Sequence, residues 1–107
     1  MPSPDPSVAA FRALMDALLP EDDVTEGTGF GKTPGLRTGG RIFAMRMPAG
    51  LVLKLPADRC AGMVAAGEAV PLETKGRSMR EWVVVARPDP DAWLALAREA
   101  RDFVGGR

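Results

Sequence analysis

Residues 30–55, FGKTPGLRTGGRIFAMRMPAGLVLKL, decide the fold. Leu36-Arg37-Thr38 runs into Gly39-Gly40, Arg41 to Met47 leaves it, and Pro48-Ala49-Gly50 precedes Leu51 to Leu55. Two adjacent glycines accept the positive φ angles of a tight hairpin turn, and Gly50 suits a left-handed position. The stretch therefore reads as strand, turn, strand, turn, strand, an antiparallel meander. In the last strand Leu51, Leu53 and Leu55 face a core and Lys54 faces out, because side chains alternate with period two. The same alternation predicts Phe43, Met45 and Met47 on one face of the middle strand, as core filling.

Helical signals bracket the meander. Val8, Phe11, Leu14, Met15, Leu18 and Leu19 recur at spacings of three and four, which predicts an amphipathic helix with Ser7 as N-cap and Pro20 as its stop. Residues 1–7, with three prolines, are expected to be a flexible arm, and residues 8–107 one domain. Glu21-Asp22-Asp23 reads as a solvated connection and Val24 to Thr28 as a short strand. Glycines 27, 29, 31 and 35 predict a bend around Phe30. After Pro56 a short helix carries Cys60, Met63 and Val64 and stops at Gly67. Val70 and Leu72 suggest a weak edge strand demoted by Pro71, followed by a turn at Lys75-Gly76-Arg77-Ser78. Trp82 to Val85 is apolar on both faces, as a covered central strand would be. Pro88-Asp89-Pro90-Asp91 caps a last helix from about Ala92 to Val104, with Trp93, Leu96, Ala97, Ala100, Phe103 and Val104 as its buried stripe. Helices bracketing runs of strands predict an α+β fold in two layers. The sheet is antiparallel, of about five strands in the order α-β-β-β-α-β-β-α, with the helices on one side.

Composition narrows the function classes. The chain has 107 residues, the size of one domain, and its 46% apolar and 26% charged content is that of a globular protein. One cysteine, Cys60, permits no internal disulfide and fits a reducing, cytoplasmic setting. The opening MPSPDPS has neither the basic nor the apolar region of a signal peptide, and no run reaches the ~18 apolar residues of a membrane span.

Histidine and tyrosine are absent, which excludes Ser-His-Asp and Cys-His arrangements and removes the commonest metal ligand. A lone cysteine cannot build a thiolate zinc cluster. A carboxylate metal site at Glu21-Asp22-Asp23 is the sharper reading of that loop, a solvated acidic turn the plainer and preferred one. Cys60 stands near a helix start, where the dipole could lower its pKa, but it occupies an apolar position and is expected to pack. Gly27 to Thr33 superficially resembles a phosphate loop, but only three residues separate Gly27 from Gly31-Lys32-Thr33, and Pro34-Gly35 blocks the required helix. No cofactor is expected, and the chain reads as a non-enzyme.

Charge is balanced in total, 14 basic against 14 acidic side chains, but segregated along the chain. Residues 1–30 hold six acids against Arg12, and residues 31–60 hold six cations against Asp58. Zero net charge argues against strong non-specific nucleic-acid binding by the whole surface but permits one basic face. The candidates are Arg37, Arg41 and Arg46 on the hairpin and Lys75, Arg77 and Arg80 around the later turn. If the two turns point the same way, they make a positive rim for phosphates. No aromatic residue interleaves them, so stacking on single-stranded bases is not indicated, and edge-blocking surface charge is the plainer alternative.

Several short pieces together resemble the N-terminal domain of TfoX/Sxy proteins, and more distantly the MmcQ/YjbR-like proteins. They are Phe30-Gly31, Gly40 to Met45, Leu51 to Leu55, Ala66-Gly67, Lys75 to Met79, Trp82 to Val85 and Trp93 to Ala100. The likeness covers roughly residues 8–104. It implies a two-layer, secretion-chaperone-like α+β fold and a regulatory role without enzymatic activity, cofactor or catalytic residues. The resemblance implies transcription or competence-type regulation through protein or DNA contact, although the second, helical domain of TfoX-like regulators has no counterpart in these 107 residues. The expectation is a small cytoplasmic domain that binds protein or nucleic acid. The alternative is a protein-interaction or chaperone-like dimer that uses the apolar surface around Phe43, Met45 and Trp82.

Overall fold

The computed structural model describes residues 5–28 and 34–106. Lys32, the glycine-rich bend around Phe30 and the proline-rich start at residues 1–4 lie outside them. The elements run α1 (Pro6–Leu18), β1 (Val24–Thr28), β2 (Pro34–Thr38), β3 (Arg41–Met47), β4 (Gly50–Lys54), α2 (Ala57–Ala65), β5 (Val70–Thr74), β6 (Arg77–Val85) and α3 (Pro90–Gly105). One antiparallel sheet has the strand order β1-β2-β3-β4-β6-β5. The α+β expectation holds, with six strands where about five were expected. Val24–Thr28 is a full edge strand, and β5 pairs along its length despite Pro71.

Local chemistry explains the boundaries. Helix α1 starts two residues earlier than expected. Asp5, not Ser7, is its N-cap, and Pro6 takes the first-turn position that needs no N–H. Ser7 donates from both its backbone N (2.9 Å) and its Oγ (2.8 Å) to Asp5 Oδ1. Asp89 caps α3 by accepting from the N–H groups of Asp91 and Ala92, and Gly106 ends that helix in the left-handed region at φ 75°. The β2–β3 and β5–β6 hairpins both close through two residues with positive φ, Gly39-Gly40 and Lys75-Gly76, the turn geometry that suits strand twist.

All three helices pack on one face of the sheet. Phe11, Leu14 and Leu18 of α1, Cys60 and Met63 of α2, and Trp93, Ala97 and Ala100 of α3 share one core with Leu36, Phe43, Leu51, Leu53, Leu55, Val83 and Val85. The other face carries a second, helix-free cluster: Met45, Val52, Leu72, Trp82 and Val84, with Ile42, Met47 and Met79 partly buried around it. Strands β4 and β6 thus bury both faces, which is why Trp82 to Val85 reads as continuously apolar.

One expectation is overturned here. Phe43 and Met45 do not share a face. Between β2 and β3 the pairing passes from Leu36↔Ala44 to Arg37↔Ile42, so Phe43 is an extra residue in β3. This bulge breaks the period-two alternation. Phe43 and Ala44 both turn to the helices, while Ile42 and Met45 join the opposite cluster. The surface imagined around Phe43, Met45 and Trp82 is therefore split between two faces, and all three residues are buried.

Candidate functional site

The end of the sheet that carries the β2–β3 turn gathers most of the candidate cations. Arg41 begins β3 and Lys54 ends β4, and Lys54 pairs in register with Trp82 of β6. β6 starts at Arg77 and reaches Trp82 five residues later. Both hairpin turns therefore lie at the same end, as the sequence required for a positive rim. Gly76 stands six residues before Trp82, so the β5–β6 tip projects up to ~20 Å past Lys54 at the usual strand rise. The pairing jumps from Pro71↔Val83 to Leu72↔Met79, leaving Arg80 to Trp82 as a bulged segment that bends this arm.

Arg37, Arg41 and Lys54, from three adjacent strands, line one open cleft of about 510 Å³. Trp82 and Ile42 line it from the helix-free face and Phe103 and Val104 of α3 from the helix side, so the cleft lies across the end of the sheet, with Gly40 and Glu81 also on its lining. Two of the cations are held in place. The ammonium of Lys54 sits 5.7 Å from the centre of the Trp82 ring, within cation–π range. Arg37 Nη1 donates to the carbonyl of Gly40 at 3.3 Å, and its stem covers Gly27, where a Cβ would stand 2.7 Å from Nε. Arg41 is exposed.

The remaining candidates fall elsewhere. Lys75, Arg77 and Arg80 are exposed along the projecting arm, and Arg80 also lines a separate groove beside α2. Arg46 lies five residues along β3 from Arg41, ~16 Å away at the strand rise, and does not join the cleft. Its charge instead helps lower the pKa of Asp5, after the larger effects of the two Ser7 hydrogen bonds. Lys54 is the cation that sequence reasoning left out of the set. Its signal was present: in LVLKL it is the one charge on the face opposite the leucines.

The acidic loop proves not to be simply solvated. Arg101 of α3 is buried, with only 9% of its surface exposed, and it reaches the segment after α1. Its Nη1 contacts Glu21 Oε1, its Nη2 donates to Asp102 Oδ1 at 3.2 Å, and its Nε stands 4.0 Å from Asp23 Oδ2. Thr38 Oγ1 donates to Asp23 Oδ2 at 2.9 Å, and Arg98 Nη1 reaches Glu21 Oε2 at 3.5 Å. The carboxylates of Glu21 and Asp23 thus hold a helix rather than standing free in water, while Asp22 alone is exposed. Among the described residues no group of three or more His, Cys, Asp or Glu side chains is arranged to hold a metal ion.

Cys60 is buried, and its thiol lies 3.5 Å from the Leu55 carbonyl, to which it donates. Burial pushes its pKa up, outweighing that hydrogen bond. A protonated, enclosed thiol packs and does not attack. A second concavity, about 570 Å³ and largely apolar, runs between α2 and the β5–β6 arm. Cys60 and Val64 line one side, Pro71 and Met79 the other, and Trp82 and Val83 also contribute. No helix among the described residues is long and apolar enough to cross a membrane. Comparison with family models, curated proteins and solved structures gives no match.

Proposed function

We propose that the chain is a small non-enzymatic binding domain of the TfoX N-terminal type, which contacts nucleic-acid phosphates with the cationic end of its sheet in a regulatory, cytoplasmic setting. The observation that carries this reading is the convergence of Arg37, Arg41 and Lys54 on one cleft, with Lys75, Arg77 and Arg80 on the arm beside it. Cations spread over ~20 Å can follow a phosphate backbone, and such contacts dominate nucleic-acid affinity. The absence of histidine and the protonated, buried Cys60 favour binding over catalysis.

The test is duplex-DNA binding measured by fluorescence anisotropy across a salt series. Binding is expected at about 50 mM salt, with a steep loss as salt rises. Arg41→Glu and Arg77→Glu should each weaken it and lower the salt slope by about one, and Arg46→Glu should leave it unchanged. No binding at about 50 mM salt would sink the proposal.

The groove between α2 and the β5–β6 arm favours a second reading, a protein-interaction or chaperone-like dimeric module without a nucleic-acid role. Light scattering on the chromatographed protein separates the two. A strict monomer that captures no protein counts against this alternative.

A further inference from the structure

We infer that the Arg37–Arg41–Lys54 cleft is a discrete site for a phosphate monoester, such as the terminal 5′-phosphate of a nucleic acid or a free mononucleotide. The inference deepens the proposed phosphate contact and rests on it. Three features of the cleft point to a terminal rather than an internal phosphate.

The first is charge. Among the described residues, two guanidinium groups and one ammonium line the cleft, against the carboxylate of Glu81. A monoester carries close to two negative charges at neutral pH and three terminal oxygens, whereas an internal diester carries one charge. Two arginine forks and a lysine match the richer group, since guanidinium binds phosphate oxygens in pairs and ammonium acts as a point charge.

The second is shape. The cations line an open concavity between Phe103 and Val104 of α3 on the helix side and Trp82 on the opposite face. An internal phosphate is flanked by sugar on both sides and meets a surface side-on. A terminal phosphate projects from one bond and can enter a cleft end-on. The volume of about 510 Å³ holds a phosphate with its attached sugar, within the usual range of small-ligand sites. Ile42, Phe103 and Val104 offer an apolar surface to that sugar, and Glu81 an acceptor for one of its hydroxyls.

The third is preorganisation. Lys54 is fixed over the Trp82 ring and Arg37 is tied to the turn carbonyl of Gly40, so neither side chain must be ordered from scratch when an anion arrives. Trp82 is buried and the Lys54 ammonium stands over its ring, which leaves little of it open to a stacking base. Recognition therefore falls on the phosphate and sugar and leaves the base unread.

The experiment compares one DNA duplex with and without 5′-phosphates, and adds adenosine monophosphate and inorganic phosphate as separate titrants by calorimetry. The expected result is about tenfold tighter binding of the phosphorylated duplex and competition by the mononucleotide. Arg41→Gln and Lys54→Met should each abolish that difference. Lys54→Met keeps an unbranched side chain over Trp82, and circular dichroism confirms that both variants are folded. Equal affinity for the two duplexes overturns the monoester site and leaves the nucleic-acid reading standing. Binding of adenosine monophosphate with no binding of either duplex upholds the site, for a free monoester, and ends the nucleic-acid reading. No binding of any titrant ends both.

Discussion

Arg101, near the end of α3, is paired with Glu21, in the turn that follows α1, and its guanidinium is almost wholly enclosed while the glutamate keeps 30% of its side chain exposed. Removing a buried cation leaves Glu21, Asp23 and Asp102 facing one another across a polar gap. Arg101→Met should therefore cost about 2–3 kcal/mol, near the lower end for a broken buried pair because the acids remain partly hydrated. Arg98, 47% exposed and 3.5 Å from the same glutamate, should cost less than about 0.5 kcal/mol when changed to Ala. Urea unfolding of the two variants checks the contrast, and equal losses would remove the special role of Arg101.

Gly50 is confined by its surroundings as well as by its backbone. Its φ is +139°, and an added Cβ would stand 2.3 Å from the Val85 carbonyl oxygen of the neighbouring strand. Gly50→Ala must push β4 from β6 and is expected to cost roughly 3 kcal/mol or more, through strain and lost pairing. Gly39, at φ +57° with nothing within 4 Å, should lose only about 1 kcal/mol as Ala. Thermal melts of the pair test whether contact or dihedral dominates.

The N-cap of α1 makes stability depend on acid. Hydrogen bonds from the Ser7 backbone and hydroxyl hold the Asp5 carboxyl below its ordinary value of 3.8. A lowered folded-state value means that the unfolded chain takes up the proton first as pH falls. The cap's contribution is then present above about pH 4 and lost as pH drops through the folded value. Asp5→Asn, which still accepts a hydrogen bond but cannot ionise, should flatten this part of the pH dependence. Urea midpoints between pH 2.5 and pH 7, read for both proteins, decide it; identical profiles would mean the cap is not titrating.

Cys60 should resist thiol reagents in the native protein and react fully once unfolded. Its pKa is raised above the ordinary 9.0 chiefly by burial. At pH 7 the thiol is protonated in both states and adds no pH dependence. Above about pH 9 the unfolded thiol ionises first, so stability falls. Labelling with a disulfide reagent at pH 8, in buffer and in urea, measures the protection, and rapid native labelling would contradict the enclosed position. Cys60→Ala should cost about 1 kcal/mol from lost packing.

Most elements were legible because their signals are local. Asp89 with Pro90, Gly39-Gly40, and the leucine alternation of β4 act within a few residues, and each produces the element expected from it. Arg101 was hidden although its position was readable. It follows Trp93, Ala97 and Ala100 on the buried stripe of α3, and a cation there demands an acid partner. The acids of the Glu21–Asp23 loop were visible too, but nothing local joins segments whose Arg98–Glu21 contact spans 77 residues. Phe43 does not share a face with Met45 because a bulge is a property of two paired strands, and Ile42 to Met45 are all apolar, so β3 alone does not mark where the alternation breaks.

By itself, the sequence determined the kinds of element, their turns and caps, and the absence of histidine chemistry, since these depend on composition and on neighbours in the chain. Only the tertiary structure decided which cations meet. Strand order and register bring Arg37, Arg41 and Lys54 to one cleft and leave Arg46 at the far end of the same strand. Like charges do not seek one another; they are gathered because burial of the leucine and valine faces sets the register, and the exposed or half-buried cations follow the backbone.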